Sequence, residues 1–397
     1  MNEAASNIER AQSFSPESVV VVTRDQLKSL PCWDKSFASE RKDHRYYELI
    51  EDTLHPEFEY RYFAITDADG HVCAIQPFFI LHQDMLEGVD PRIKAWVSAV
   101  RRFWPRFMQI RTLMVGCVAG EGHLDGESDA ARDRNASIFA ANIVASARKL
   151  KTPLIVLKEF PSQYRNSLKA FLDYGFARLP SFPMTKLNID YKDFDDYAWN
   201  ALTSVIRQRL RKKFQAAEKS SPITMTVAHD ITSMIEEIYP LYFSVYERSN
   251  FHFEKLTKEY FCEIGRRMPD KVRFFIWRQN DRVVAFSFCM VEGDAIYTEY
   301  IGLDYKVAID LHLYHYMIRD TINWAIANGY KWFRSSGLNY EPKRGLRALL
   351  DPLDLYVQHT SPIANRILKR FLPWLEPTRY DKVLPRFPNY GELWVKD

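Results

Sequence analysis

The chain has 397 residues, 47% hydrophobic and 26% charged, with 54 Lys+Arg against 51 Asp+Glu and a net charge of +3. That balance excludes wholesale disorder, and so small a net charge means that any nucleic-acid contact must come from a local patch. Five cysteines (Cys32, Cys73, Cys117, Cys262, Cys289) show no Cys-x-x-Cys spacing, which speaks against a disulfide framework or a zinc site and for a reducing compartment. Residues 1–16 lack an apolar signal-peptide core, and no run reaches the ~20 apolar residues of a spanning helix, so the expected location is cytoplasmic.

In chain order, 1–20 reads as a flexible N-terminus. Tyr60–Thr66 alternates, Asp67-Ala68-Asp69-Gly70 is a hairpin turn, and Val72–Leu81 is the returning strand. Residues 92–108 form a basic amphipathic stretch with Trp96 and Trp104. It is expected to pack on the core, with weak membrane-surface contact as the other reading. Gly116–Gly122 is a glycine-rich loop, Asn135–Leu150 a helix, and Pro153–Phe160 a buried strand. A boundary is expected at residue 190.

The second half repeats this order of elements. Residues 203–219 make a basic helix, and Val272–Arg278, Val283–Val291 and Ala295–Leu303 make a meander. A helix over 308–328 follows, with apolar residues at spacings of three and four and Asp310 where an N-cap belongs, and then a strand over Tyr330–Ser335. Six prolines in 351–397 argue against long regular elements there, while its Trp and Tyr argue for a tail packed on the body. The expected domains are therefore 21–190, 191–350 and the tail 351–397. The fold class is α/β (α+β), with two tandem domains, each a mixed sheet flanked by helices.

That order of elements resembles the GNAT acyltransferase superfamily. The run Arg282–Ser287, then Glu292–Tyr297, then Tyr330–Gly337, with the basic helix Ser204–Lys213, is similar to the branch related to the Fem peptidoglycan-bridge aminoacyltransferases. The resemblance implies two tandem GNAT-like halves and acyl transfer to an amine. Its expected donor is an acyl-CoA. The alternative is aminoacyl-tRNA, used in peptidoglycan or peptide-like synthesis, and a third reading is a binding protein without turnover. The superfamily's glycine-rich pyrophosphate loop is missing from Leu303–Asp310, which puts the usual coenzyme A pose in doubt.

The candidate residues follow from position. Glu299, near the end of the central strand, is the expected general base, with Thr298 and Tyr300 facing the other way. Tyr340 is the expected general acid by resemblance, and Ser335 and Ser336 are positioned to hold substrate. Gly302, Leu303, Asp310 and His312 are the expected donor site at a helix N-terminus. Arg207, Arg211 and Lys212 are expected to meet phosphate or tRNA. His312 and His315 lack a third ligand at motif spacing, so no metal is expected. The acceptor is a small-molecule or peptide amine.

Overall fold

The computed structural model describes residues 15–84, 98–99, 101–103, 109–219, 221–249 and 253–395. The amphipathic stretch 92–108 lies almost wholly outside them. The first half supplies β1 (Val19–Val22), α1 (His44–Thr53), β2 (Glu59–Thr66), β3 (Val72–Asp84), β4 (Gln109–Val115) and α2 (Asp129–Lys149), followed by β5 (Leu154–Pro161), α3 (Arg165–Asp173), β6 (Ala177–Pro180) and β7 (Met184–Asn188). The remainder supplies α4 (Phe194–Ala201), α5 (Ser204–Glu218), β8 (Ile223–Ala228), α6 (Ile235–Arg248), α7 (Lys258–Arg267), β9 (Val272–Gln279), β10 (Arg282–Glu292) and β11 (Ala295–Leu303). Then come α8 (Leu313–Ala327), β12 (Trp332–Ser335), β13 (Leu349–Asp351), β14 (Leu353–His359) and α9 (Pro362–Leu375).

The strands form two seven-stranded mixed sheets, β1-β2-β3-β4-β5-β14-β6 and β13-β7-β12-β11-β10-β9-β8. Each has one parallel pair at its centre, β4 with β5 and β11 with β12, and antiparallel neighbours elsewhere. This is the tandem mixed-sheet architecture expected from the order of elements. The outer face of each sheet is covered by its own helices, and both inner faces meet in one core. Tyr62, Ile75 and Phe79 from the first sheet share that core with Phe274, Phe286 and Phe288 from the second.

The sheets do not follow the chain division at 190. Strand β7 lies before that point yet pairs with β12 and β13, and β14 lies in the tail yet sits between β5 and β6. The halves therefore exchange strands. The chain crosses from one sheet to the other at Ser181–Pro183 and again at Pro352. The crossings lie side by side, with Ser181 N–H donating to the Leu353 carbonyl at 2.8 Å.

Two expectations about regular structure fail. The tail holds a seven-residue strand inside the first sheet and a 14-residue helix. Pro362 sits in the first turn of α9, where its missing N–H costs nothing, and Pro373 falls in the last turn. The helix expected from 308 starts only at Leu313, after a separate turn over Tyr305–Ala308 capped by Asp304. Asp310 is exposed and caps nothing. The N-cap is His312, in the left-handed region at φ 49°, and its side chain makes no cap hydrogen bond. Periodicity read the apolar face correctly but could not register a break made by backbone conformation.

Candidate functional site

The parallel pair β11–β12 ends early on one side. Their register runs from Ala295 opposite Trp332 to Thr298 opposite Ser335, where β12 stops, while β11 continues along β10 to Leu303. The strands therefore fork from residue 299. A cavity of about 1300 Å³ opens at the fork and runs between the two sheets. Its walls include Glu299, Tyr300 and Ile301 from β11, Tyr314 and Met317 from α8, and Lys158 from β5.

Glu299 occupies a β-bulge. Phe288 opposes Tyr300 and Cys289 opposes Thr298, so Glu299 is the residue left without a partner in β10. The bulge breaks strict alternation. Thr298, Glu299, Tyr300 and Ile301 all border the cavity, contrary to the expectation that Thr298 and Tyr300 face away from Glu299.

The Glu299 carboxylate is not free. Its Oε1 accepts from Arg41 Nε at 2.9 Å, and its Oε2 lies 3.5 Å from Lys42 Nζ. Both cations come from the first half and both are deeply buried, at 2% and 0% exposure. They also pair with Glu121, Lys42 at 2.9 Å and Arg41 in direct contact. The Arg41 guanidinium lies 3.7 Å above the Tyr297 ring. Glu121 in turn meets His123 Nε2 at 3.1 Å, and His123 Nδ1 lies 3.1 Å from Glu40, which also accepts from the Tyr164 hydroxyl at 3.0 Å. A buried ionic network thus runs from the floor of the cavity across the junction of the two halves.

Burial by itself lowers the His123 pKa, but the Glu40 charge and the bonds to Glu121 and Glu40 outweigh it and raise the value to about 9. Burial raises Glu40, and the His123 charge and hydrogen bond reverse that, taking it down to about 2. Because the folded His123 value lies above the unfolded one near 6.5, the imidazolium stabilises fully below about pH 6.5 and not at all above about pH 9. His123→Gln is expected to cost a few kcal/mol at pH 6, on the order of breaking a buried ion pair, and distinctly less at pH 9.5. Urea denaturation at the two pH values reads the difference, and equal losses would remove the charge from this account.

Two further groups border the cavity. Glu254, half-buried, accepts from the Tyr300 hydroxyl at 2.8 Å, and burial raises its pKa above the usual carboxylate range despite the nearby Lys158 charge. Lys343 donates to the carbonyls of Ser336, at 2.5 Å, and Leu338, at 2.9 Å. It pairs with no carboxylate among the described residues, and burial alone pushes its pKa down to about 7.

Of the expected site residues, Glu299, Ser335, Ser336 and Leu303 border the cavity. Ser335 Oγ shares a 2.7 Å hydrogen bond with Thr185 Oγ1 across β12 and β7. Gly302 does not reach the cavity. A Cβ there would press on the Phe286 ring and lie 2.6 Å from the Tyr242 backbone N, so this glycine lets α6 approach the sheet. Tyr340 is buried behind the cavity against Phe387, its hydroxyl spent on the Pro183 carbonyl at 2.9 Å. Asp310 and His312 lie outside the lining, as do Arg207, Arg211 and Lys212 on α5. Arg207 closes the end of α4 by donating to the Trp199 and Leu202 carbonyls, and Arg211 and Lys212 are exposed. His315 meets Lys213 Nζ at 2.8 Å, and burial together with that cation takes its pKa down to about 4.

The glycine-rich loop 116–122 carries the acid that anchors the network. Gly122 is packed against Lys158 and Phe160 and Gly120 against the Lys42 side chain, so a Cβ at either would collide, while at Gly116 it would sit tightly, 3.2 Å from the Lys158 carbonyl oxygen. The Glu-Gly-His run at the end of that loop is the legible signal for Glu121 and His123.

Comparison with known proteins bears on this arrangement. The FemAB-like family model, described as peptidoglycan biosynthesis/recognition, matches residues 93–368. Two curated proteins of Mycobacterium tuberculosis, from strains CDC 1551 and H37Rv, are both named putative 8-amino-7-oxononanoate synthase 2. Each is 20% identical over 356 residues, covering 86% of this chain and 46% of theirs, so the chain spans under half the length of those relatives. Among solved structures, FemX aligns with a TM-score of 0.49 and 11% identity, over 85% of this chain and 96% of that one. A tandem GNAT protein from the clavulanic acid biosynthesis pathway aligns at 0.47 and 11%, over 87% and 99%. L-PGS from Bacillus licheniformis aligns at 0.45 and 14%, over 66% and 85%. With the family model spanning well over half of its length, the chain belongs to the FemAB-like family.

Proposed function

We propose that the protein is an N-acyltransferase that brings an amine and an activated acyl donor together in the cavity at the β11–β12 fork. The observation that carries this reading is the fork itself: a roomy cavity at the end of a parallel pair, bordered by a bulge residue, a carboxyl whose pKa burial raises and a lysine whose pKa burial pushes down to about 7. The amine nitrogen attacks the acyl carbonyl, its proton passes to Glu254, and the donor's leaving atom takes a proton from Lys343 as the acyl bond breaks. A bulge residue has backbone N–H capacity outside the ladder, the kind of donor a developing oxyanion needs. Lys343 takes the acid role that sequence position gave to Tyr340, whose proton is committed to a backbone carbonyl. Glu254 takes the base role given to Glu299, whose oxygens face two cations. The rest of the rate comes from holding the two substrates in line.

An acyl-CoA is the first donor to test. Aminoacyl-tRNA is the second, favoured by the segment 304–312, which offers no glycine for close backbone approach to a pyrophosphate. The family description supports a peptidoglycan-precursor amine as acceptor. In an amide-formation assay with labelled acyl-CoAs and charged tRNAs, one donor class is expected to give product. Glu254→Gln is expected to lower kcat by about 10²–10⁴-fold with little change in donor KM. Unaltered turnover in that variant would take the base role from Glu254, and no product with either class would leave a binding protein.

A further inference from the structure

Helix α9 has two faces of different use. Asn365, Leu368 and Leu372 turn inward, packed on β14 and β6, and Leu372 also borders the large cavity. The opposite face carries Ile363 (77% exposed), Ile367 (56%), Phe371 (57%) and Trp374 (67%), at spacings of four, four and three, which is one continuous stripe. Tyr380, just beyond the helix, is also exposed and donates to the Trp374 carbonyl. Single exposed apolar residues need no explanation, whereas an aligned stripe with an aromatic end does. The charges on the same helix are Arg366, Lys369 and Arg370, all exposed, with no acid between 362 and 375.

A second observation lies beside the stripe. A pocket of about 270 Å³ is lined by Arg148, His359, Thr360, Arg366 and Lys369, among others, and contains no carboxylate. Arg148 is oriented by donation to the Thr360 carbonyl at 2.7 Å, and neither Arg366 nor Lys369 has an acidic partner among the described residues. The pocket therefore offers concentrated positive charge at the edge of an apolar surface.

We propose that α9 is an interfacial helix that docks the protein on an anionic phospholipid bilayer, its stripe entering the acyl boundary and a headgroup phosphate resting in the Arg148–Arg366–Lys369 pocket. Charge complementarity selects this occupant. A second copy across a two-fold axis would set the basic flank of the helix against its own like, whereas an anionic surface meets it with opposite charge. The helix lies on the surface rather than crossing it: none of the described helices is long and apolar enough to span a membrane. The inference is independent of the reaction proposed above, because its readout is binding alone.

The full chain is sedimented with vesicles of phosphatidylglycerol and phosphatidylcholine and with vesicles of phosphatidylcholine alone. Binding is expected only to the anionic vesicles, weakening as salt is raised. The Phe371→Ser/Trp374→Ser and Arg366→Glu/Lys369→Glu variants are each expected to lose at least about tenfold in partitioning. Both change exposed residues, so circular dichroism and melting temperature are expected to match the parent. Three results would overturn the proposal: no sedimentation with anionic vesicles, equal binding by parent and variants, or a dimer in analytical ultracentrifugation that the serine pair abolishes.

Discussion

Arg41→Ala is expected to lose about 3–5 kcal/mol of stability, the usual cost of removing one partner from a buried ion pair. The reason is local. Arg41 is 2% exposed and stands between Glu121 and Glu299, with Glu292 at 3.8 Å. Without it, Glu299 keeps only Lys42, which it shares with Glu121, while Glu121 retains His123 as well. Lost packing over the Tyr297 ring adds to the deficit. Glu299→Gln in the Arg41→Ala background removes one of the stranded charges, so the double variant is expected to recover part of the loss, with a coupling of about 0.5–3 kcal/mol. Guanidinium denaturation of the four proteins in the cycle measures both numbers. A single-variant loss below about 1 kcal/mol would show that water reaches the network and that the junction is held by its apolar core instead.

Lys343→Met is expected to change stability little, the hydrogen bonds lost to the Ser336 and Leu338 carbonyls being set against relief of an unpaired buried amine, yet to lower kcat by about 10²–10⁴-fold. The two effects part company because the lysine is buried without a counter-ion and its charged form is disfavoured there, down to a pKa of about 7. Methionine removes that burden and removes the proton as well. The sign of the pH dependence follows. A general acid must hold its proton, so kcat of the parent falls as pH rises through about 7, and the variant's residual rate lacks that limb. A structural lysine would not move the pH profile. A parent profile that rises through pH 7, or a Lys343→Met enzyme with the parental rate, would assign the leaving-group proton elsewhere.

Much of the fold was legible in the chain. Strand β11 begins and ends at the residues its alternation and turn signals mark, Ala295 and Leu303. The hairpins at Asp67–Gly70 and around Asn280–Asp281 follow from residues that tolerate left-handed backbone, and Asn280 and Asp281 adopt it, at φ 49° and 61°. Helix α2 was read six residues short because its opening turn after Ser128 is polar and shows no apolar period. The cap itself is a Ser128 side chain accepting from Ala131 N–H.

The candidate site was legible only in its scaffold. Glu299 and the two serines at the end of β12 were found by position, but the partners that decide their chemistry were not. Glu40-Arg41-Lys42-Asp43-His44-Arg45 reads as a solvated charge run, and nothing local reveals that Arg41 and Lys42 are among the most buried side chains of the protein. Glu254 and Lys343 lie 45 and 44 residues from Glu299 along the chain, and each owes its pKa to burial rather than to any neighbour in sequence.

By itself the chain determined the elements and their order, because strand alternation, helical period and turn chemistry are properties of a few consecutive residues. Which sheet each strand joined was settled by tertiary structure alone: β7 and β14 each cross to the other sheet, and that exchange turns two halves into one body with a cavity between them. The charges of the site were settled there too. The proton affinity of a buried group depends on the dielectric and the counter-ions that packing puts around it, and those arrive from residues tens to hundreds of positions away.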